Sequence, residues 1–344
     1  MGPRLALADA PPAVGGLINP GGIAYSAELR RIYAVDRVGG RLLILGDSLG
    51  SPKSVRVGAG PVSVAVDGRA GTAYVADADD GTLAVLDALS GAVRATLPIG
   101  GRPYSVAVDP ERGRVFVTDA SGDGITMVDT KTLGVSRLKT GSADLVAVDP
   151  GRGTVELIGY GTALRILGSP PAAVREVPVG KHAWGLALNP SSGAAYVCLT
   201  EDSQIVEIDP DSGATALLPA GDIPCAVAVD SGSAVLVVAN YRGNSATVLD
   251  AARRRVLATV PVGKHPGAVA IDPIRHLVFV ANGSDASITA IDEATHRVLG
   301  TLPGGRNPYA LAVVAGSDRL YVANNDPESP LTVVDLRSIG AGSR

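Results

Sequence analysis

The chain has 344 residues, of which 46% are hydrophobic and 19% charged, and its net charge is −4. This composition is typical of a soluble globular protein with a large core, and the acidic balance argues against nonspecific nucleic-acid binding. No run of about 18 apolar residues predicts a membrane span. Two cysteines, Cys198 and Cys225, do not make a disulfide framework, and we expect buried free thiols.

Residues 1–16 contain one Arg and only a short Ala/Leu run, which lacks the long apolar core of a signal peptide. The sequence as given therefore predicts a cytoplasmic protein, or a periplasmic or secreted one if a leader is missing. We expect a monomer without a bound cofactor. The chain has no Cys-x-x-Cys-His motif, so no covalent c-type haem is expected.

A glycine recurs about every 40 residues and precedes a similar group of short apolar segments. The first unit is divergent, with 22–25 and Arg31–Asp36 as its candidate strands, and the later units repeat more clearly. A period near 40 residues with four strands per period is the signature of a β-propeller. The repeats begin near Gly16, Gly58, Gly101, Gly141, Gly180, Gly221, Gly263 and Gly305.

The seventh unit shows the pattern best. Its four apolar segments are separated by Asp-Pro, Asn-Gly-Ser-Asp and Glu-Ala-Thr-His, which are turn formers. Short Val- and Ile-rich segments bounded by such turns predict a four-stranded antiparallel meander. The predicted strands are Ala268–Ile271, Leu277–Ala281, Ser287–Ile291 and Arg297–Leu302.

The second segment of many units ends in a repeated four-residue word. Residues 74–77, 116–119, 237–240, 279–282 and 321–324 read YVAD, FVTD, VVAN, FVAN and YVAN. These words resemble the YVTN-type β-propeller repeat, and the resemblance covers nearly the whole chain. It implies the propeller fold and leaves function open, since such propellers serve several unrelated tasks.

We predict an all-β protein with one propeller domain over residues 1–344 and eight four-stranded blades. The eighth unit has no obvious fourth strand after Leu331–Asp335. Pairing of Arg4–Ala8 with that strand would close the ring and remove an exposed sheet edge. Seven blades is the alternative, if 16–57 is not a blade. The fourth unit lacks the repeated word at 155–159 and has a short loop at 160–162, which indicates either a notch in one rim or sequence drift.

In a propeller the first strand of each blade lines the channel, so position in the repeat predicts the face on which a loop lies. The links that enter the first strands vary while the strands stay uniform, and four carry Arg or Lys while two carry Asp. A concave site with aromatic and converging polar groups is the usual geometry of a ligand site. The candidate ligand-binding residues are Arg102, Tyr104, Asp144, Lys181, His182, Trp184, Asp222, Lys264, His265, Arg306, Asn307 and Tyr309.

The locally positive charge of these links favours a small anionic ligand, and the same surface suits a protein partner. The alternative is that Gly-Lys/Arg-x-Pro is simply a copied turn whose basic side chain packs along the next blade. His182 and His265 occupy equivalent positions, but a metal needs three or four ligands, so we expect solvated loop histidines. Residues 119–124 open like a calcium loop but lack its closing Glu, which favours a hairpin turn.

The sequence contains no phosphate loop and no Cys-x-x-Cys motif. The first hypothesis is a binding propeller that presents the channel mouth to an anion or a protein. The alternative, which resemblance to YVTN-type relatives allows, is a metal-dependent lactonase-like hydrolase or a quinoprotein-dehydrogenase-like subunit. An enzyme should gather three or more carboxylate or imidazole groups at the mouth, whereas a binder should show scattered polar and aromatic groups.

Overall fold

The structure is a computed structural model that describes residues 22–46, 51–122, 124–159, 163–168, 174–180 and 182–339. Its strands form eight antiparallel sheets, each built from strands that follow one another along the chain. The first strands of neighbouring sheets contact each other, and the first strand of the last sheet contacts that of the first. The protein is therefore an eight-bladed β-propeller, and the divergent first unit is a blade of its own.

The inner two strands of each blade are the most regular. The first strands span Ile23–Ser26, Pro61–Asp67, Pro103–Asp109, Leu145–Asp149, Ala183–Leu188, Pro224–Asp230, Pro266–Asp272 and Pro308–Val313. The second strands span Arg31–Asp36, Thr72–Asp77, Arg114–Asp119, Thr154–Ile158, Ala195–Leu199, Val235–Asn240, Leu277–Asn282 and Arg319–Asn324.

The outer strands complete the blades. The third strands span Arg41–Gly46, Thr82–Asp87, Ile125–Asp129, Ala163–Leu167, Gln204–Ile208, Ser245–Asp250, Ser287–Asp292 and Leu331–Asp335. The fourth strands span Lys53–Arg56, Val93–Pro98, Val135–Leu138, Val174–Pro178, Thr215–Pro219, Arg255–Pro261 and Val298–Pro303. A short 3-10 helix, Leu336–Ser338, follows the last strand, and none of the described segments is a helix of the length and hydropathy that a bilayer requires.

Blade 8 has three strands within the described residues, and Leu331–Asp335 is its outermost one. The predicted partner strand, Arg4–Ala8, lies outside the described residues. Closure of the ring through that pair therefore stays a prediction. The loop at 160–162, where a notch was considered, also lies outside them.

The core lies between the blades, because each sheet is apolar on both faces and buries them against its two neighbours. One aromatic side chain in the middle of most second strands packs towards the following blade. Phe116 packs with Val155 and Leu157 of blade 4. Phe279 of blade 7 packs with Leu311 of blade 8 in the same manner. The equivalent aromatic residues are Tyr33, Tyr74, Phe116, Tyr196, Phe279 and Tyr321, and all are buried.

The Asp or Asn that closes the repeated word has a structural role. In six blades it is buried at the end of the second strand: Asp36, Asp77, Asp119, Asn240, Asn282 and Asn324. In blade 7 the Asn282 amide donates to Ser287 Oγ (3.1 Å) and Thr289 Oγ1 (2.9 Å). Buried polar groups need such partners, so this residue anchors the following loop and third strand.

Hydrogen bonds confirm the predicted sorting of loops between two faces. On one face the link before a first strand accepts from the loop between second and third strands, as in Ala78 N–H to Gly60 O (3.0 Å). On the other face the turn after the third strand donates to the turn after the first, as in Ala88 N–H to Gly71 O (2.9 Å). We call these the mouth face and the turn face.

Candidate functional site

The links of the mouth face share a backbone feature that selects their residue types. The residue just before the first strand is left-handed in five blades, and Asn and His tolerate this conformation better than most side chains. The interpretation of the links as copied turns therefore accounts for the presence of His or Asn at several of these positions. The residues are Gly60 (φ 63°), His182 (53°), Ile223 (53°), His265 (51°) and Asn307 (50°).

Arg37 is an exposed basic side chain at the mouth whose charge reaches tyrosines of two other blades. It lies on the exposed loop after the second strand of blade 1. Its positive charge acts on two tyrosines, Tyr104 of blade 3 and Tyr309 of blade 8, and in each case it opposes the rise in pKa that burial causes. Arg37 forms no ion pair within the described part of the chain. Its guanidinium is therefore free to meet a negatively charged group.

Tyr104, Arg102 and Asp144 form a second group beside Arg37. Burial raises the pKa of Tyr104, the Asp144 carboxylate adds to the rise, and Arg37 and Arg102 oppose it. The carbonyl of Asp144 accepts a hydrogen bond from Thr118 Oγ1 (2.9 Å), which ties this link to the blade before it. Three of the candidate residues predicted from the sequence thus lie in one region with Arg37, which was not among those candidates.

Two concavities open beside Arg37. The larger is a depression of about 830 Å³ between blades 1 and 2, with Arg37 and Arg56 on one side and Asp79 and Asp80 on the other. The smaller, about 50 Å³, reaches Tyr309 at the junction of blades 8 and 1. Both are lined by polar and apolar atoms, so they suit a ligand with charged and flat parts.

His265 is a partly exposed loop histidine, as expected, and neighbouring side chains also hold it. Its ring stacks on Tyr241 with centroids 4.7 Å apart, and Nδ1 is 2.6 Å from Ser284 Oγ. The adjacent Lys264 is exposed, and its backbone N–H donates to Asp285 (2.7 Å). These contacts order the loop of blade 7 and leave the Lys264 ammonium at the surface.

His182 is also partnered, since its Nε2 is 3.0 Å from Glu201 Oε1 in the same blade. Trp184, two residues later, packs against the buried cluster that contains Cys225 and Val269. The tryptophan therefore contributes to the core between blades as well as to the mouth. Lys181 lies outside the described residues, and its place in the site stays a prediction.

The remaining predicted residues are spread around the rim. Asp222 of blade 6 lies 3.8 Å from Arg242, so its charge is partly compensated within its own blade. Arg306 and Asn307 of blade 8 are exposed, and the Asn307 carbonyl accepts from Asn325 N–H (3.1 Å). The structure thus gathers Arg102, Tyr104, Asp144 and Tyr309 near Arg37, and leaves the others as separate rim positions.

The loop that resembled the opening of a calcium site is organised as a turn. Asp119 accepts hydrogen bonds from Arg102 N–H (2.9 Å) and from Ser121 N–H (2.9 Å), and it pairs with Arg137. These contacts hold the pKa of Asp119 at about 2 against the opposing effect of burial. Its oxygens are engaged by the hairpin, as the turn interpretation predicts.

The two cysteines are free and buried, as expected. Burial raises the pKa of the Cys225 thiol to about 12 and also raises the pKa of the Cys198 thiol well above its ordinary value. Cys225 Sγ lies 3.3 Å from the carbonyls of Ala239 and Pro266. A thiol kept protonated in this way is a packing group and a poor nucleophile.

Among the described residues, one group of three His, Cys, Asp or Glu side chains lies within reach of a single metal ion. It consists of Asp230, His276 and Glu293, whose ligand atoms are all within 4.8 Å of one another. The group lies on the turn face, since Asp230 ends a first strand and His276 and Glu293 belong to turns. The mouth face has no such group within the described ranges.

Comparisons with known proteins identify the fold. No family model matches the chain, and no curated protein matches it. Hydrazine synthase of Kuenenia stuttgartiensis shares the fold at a TM-score of 0.65 and 16% identity, over 86% of this chain and 99% of that chain. A structure titled dihydro-heme d1 dehydrogenase NirN in complex with DHE has a TM-score of 0.69 and 16% identity, over 94% of this chain and 78% of that chain.

Proposed function

We propose that this chain is a binding propeller, built on a repeat of the YVTN type, whose mouth face takes a small anionic ligand. The observation that carries the proposal is the position of Arg37. Its charge acts on Tyr104 of blade 3 and Tyr309 of blade 8, and it has no carboxylate partner in the described residues. An unpaired arginine on a concave surface near tyrosines suits a carboxylate or phosphate group of a ligand.

The surrounding charges support a selective site. Arg56 lines the same depression as Arg37, and Asp79 and Asp80 lie across from them. Asp36, next to Arg37, is engaged by Arg41 at 2.5 Å, so it does not neutralise Arg37. An anion would therefore meet attraction on one side and repulsion on the other, which orients it in the depression.

The alternative is an enzyme, either a lactonase-like hydrolase or a quinoprotein-dehydrogenase-like subunit. The similar structures are enzymes by name, and their likeness at 16% identity is a likeness of fold. A metal-dependent hydrolase needs converging carboxylates or imidazoles at the mouth. Within the described ranges such a group lies on the turn face instead, which favours binding at the mouth.

Calorimetric titration of the purified chain with citrate and with inorganic phosphate tests the proposal. We expect Arg37→Ala to weaken binding about 10- to 100-fold, since a charge-assisted hydrogen bond contributes on the order of 1.5–3 kcal/mol. Arg297→Ala removes an exposed arginine from the turn-face half of blade 7 and is the matched control. Equal binding by wild type and Arg37→Ala would contradict the proposal, and a basic peptide bound more tightly than either anion would identify a protein partner.

A further inference from the structure

We propose that Asp230, Glu293 and His276 form a binding site for one first-row divalent metal ion, such as Zn²⁺ or Mn²⁺, between blades 6 and 7 on the turn face. The site is separate from the proposed anion site, which lies on the mouth face. The three side chains offer two carboxylate oxygens and one imidazole nitrogen within 4.8 Å of one another. Imidazole combined with carboxylate suits Zn²⁺ and Mn²⁺ better than Ca²⁺, which takes oxygen ligands.

The repeat itself shows that the acidic pair is special to this junction. Glu293 N–H donates to His276 O (2.9 Å), and the same backbone bond in other blades begins at an uncharged residue. Glu293 is thus an added carboxylate where the propeller needs none. The equivalent residues in blades 2, 3, 6 and 8 are Ala88, Thr130, Ala251 and Leu336.

Asp230 also lacks the cation that two of its equivalents have. In blades 3 and 4 the Asp that ends the first strand pairs with an Arg three residues later, Asp109 with Arg112 and Asp149 with Arg152. In blade 6 the residue three positions later is Ser233. Two nearly buried carboxylates, Asp230 at 6% and Glu293 at 3% exposure, therefore face each other without Lys or Arg in the described residues.

The single proton of the Ser233 hydroxyl cannot satisfy both carboxylates of the cluster. Ser233 Oγ lies 2.9 Å from Asp230 Oδ2 and also contacts Glu293 Oε1. A hydroxyl has one proton and can donate to only one of two ionised carboxylates. Because an uncompensated buried charge is costly, the cluster needs a further positive charge, which either a protonated His276 or a bound cation would supply.

The exposed His276 side chain would supply the imidazole nitrogen that coordinates the metal ion, and its exposure leaves it free to reorient. Its Nδ1 is 3.1 Å from Glu293 Oε2, and the side chain is 62% exposed. Ligand atoms of one tetrahedral Zn²⁺ are about 3.3 Å apart, given bond lengths of about 2.0–2.1 Å. The His276–Glu293 distance already fits that value, and the exposed face of the cluster leaves the remaining positions to water. The Ser233 hydroxyl would then donate to one carboxylate and orient it, which is the usual second-shell role.

Metal titration of the chelator-treated, full-length protein tests the site. We expect Zn²⁺ or Mn²⁺ to bind with a stoichiometry of one and to raise the melting temperature. His276→Ala should weaken that affinity at least tenfold without changing the melting temperature of the metal-free protein, because the side chain is exposed. His296→Ala, in the next turn of the same blade, should bind metal as wild type does.

Glu293→Gln gives a second, independent readout. It keeps the contact with Ser233 but removes one charge, so we expect metal binding to be lost while the metal-free protein melts at the same temperature or higher. Absence of Zn²⁺ and Mn²⁺ binding would overturn the proposal. So would binding that His276→Ala leaves unchanged, binding that His296→Ala weakens equally, or a response to Ca²⁺ alone.

Discussion

Blades 4 and 7 have the same backbone and different interiors. In blade 7 Phe279 pairs with Ala270 in the sheet, and in blade 4 Glu156 pairs with Ala147 in the same register. Both side chains are fully buried, at 0% exposure. Backbone pairing therefore does not depend on the aromatic residue, whereas the contact with the next blade does. Different residues of one repeat therefore specify the strand pairing within a blade and the side-chain packing between blades.

Glu156 places a buried carboxyl group in the core of blade 4, where it destabilises the fold. Neither of its carboxylate oxygens has a hydrogen-bond partner within the described residues. Burial raises its pKa to about 8, Asp149 adds to the rise, and Arg152 and Arg175 oppose it. The carboxyl is thus held neutral near pH 7, at a cost in folding free energy that Phe279 does not carry.

Truncation of the two equivalent side chains should give the largest contrast. We expect Phe279→Ala to destabilise the protein by about 3–5 kcal/mol, because it leaves a cavity between blades 7 and 8. Glu156→Ala should cost less than about 1 kcal/mol, since it also removes a buried carboxyl without partners. Denaturant midpoints of both variants measure the difference, and equal losses would show that the two blades rely on this position alike.

The pH dependence of Glu156→Gln should give a smaller but more specific effect. The folded pKa of Glu156, about 8, lies above its ordinary value of 4.5. Its contribution to stability is therefore complete below pH 4.5 and is lost as the pH rises towards 8. We expect the stability of Glu156→Gln to exceed that of wild type by about 3–4 kcal/mol at pH 8 and by about 1 kcal/mol at pH 5, since each pKa unit corresponds to about 1.4 kcal/mol. Melting temperatures across this range measure it, and a constant difference would contradict the assigned pKa.

A third contrast concerns the residue that closes the second strand. Asp77 of blade 2 stands where blade 7 has Asn282, and burial raises the pKa of Asp77 to about 7. Its one side-chain partner is Thr82 Oγ1, at 3.3 Å. We expect Asp77→Asn to stabilise the protein by about 1 kcal/mol at pH 8, because it removes a buried charge and keeps that partner. Asn282→Asp is the reciprocal variant and should destabilise by a similar amount in the same melting experiment.

The sequence predicts the frame of blades such as the seventh closely. The expected strand 287–291 is observed as Ser287–Asp292, and 268–271 as Pro266–Asp272. Turn formers and alternating apolar residues carry this information locally, so a single unit suffices to read it. The sequence does not predict that the Glu156 side chain is fully buried, because burial between blades depends on the residues of the neighbouring blade that the side chain faces.

The candidate site was predicted only in part. The variability of the links predicts that Tyr104 and Tyr309 lie in a ligand site at the mouth, and the charge of Arg37 acts on both side chains. Arg37 was missed because it lies on the loop after a second strand, in the most divergent unit. A signal was present, since that loop is basic in blade 1 and acidic in most other blades. The Asp230–Glu293 pair joins residues far apart in sequence, and only the ring brings them together.

The hydrogen bonds of the rim make it modular. The Gly60 carbonyl accepts from Ala78 N–H, and the Arg102 carbonyl accepts from Ala120 N–H, so link and loop are tied within one blade. Each blade thus carries its own segment of the rim, although the links of blades 4 and 7 also contact the preceding blade through Thr118 and Tyr241. In a blade whose link and loop contact only each other, exchanging that segment alters the charge and shape of the mouth without rebuilding the packing between blades, so new ligand preferences are accessible by local replacement.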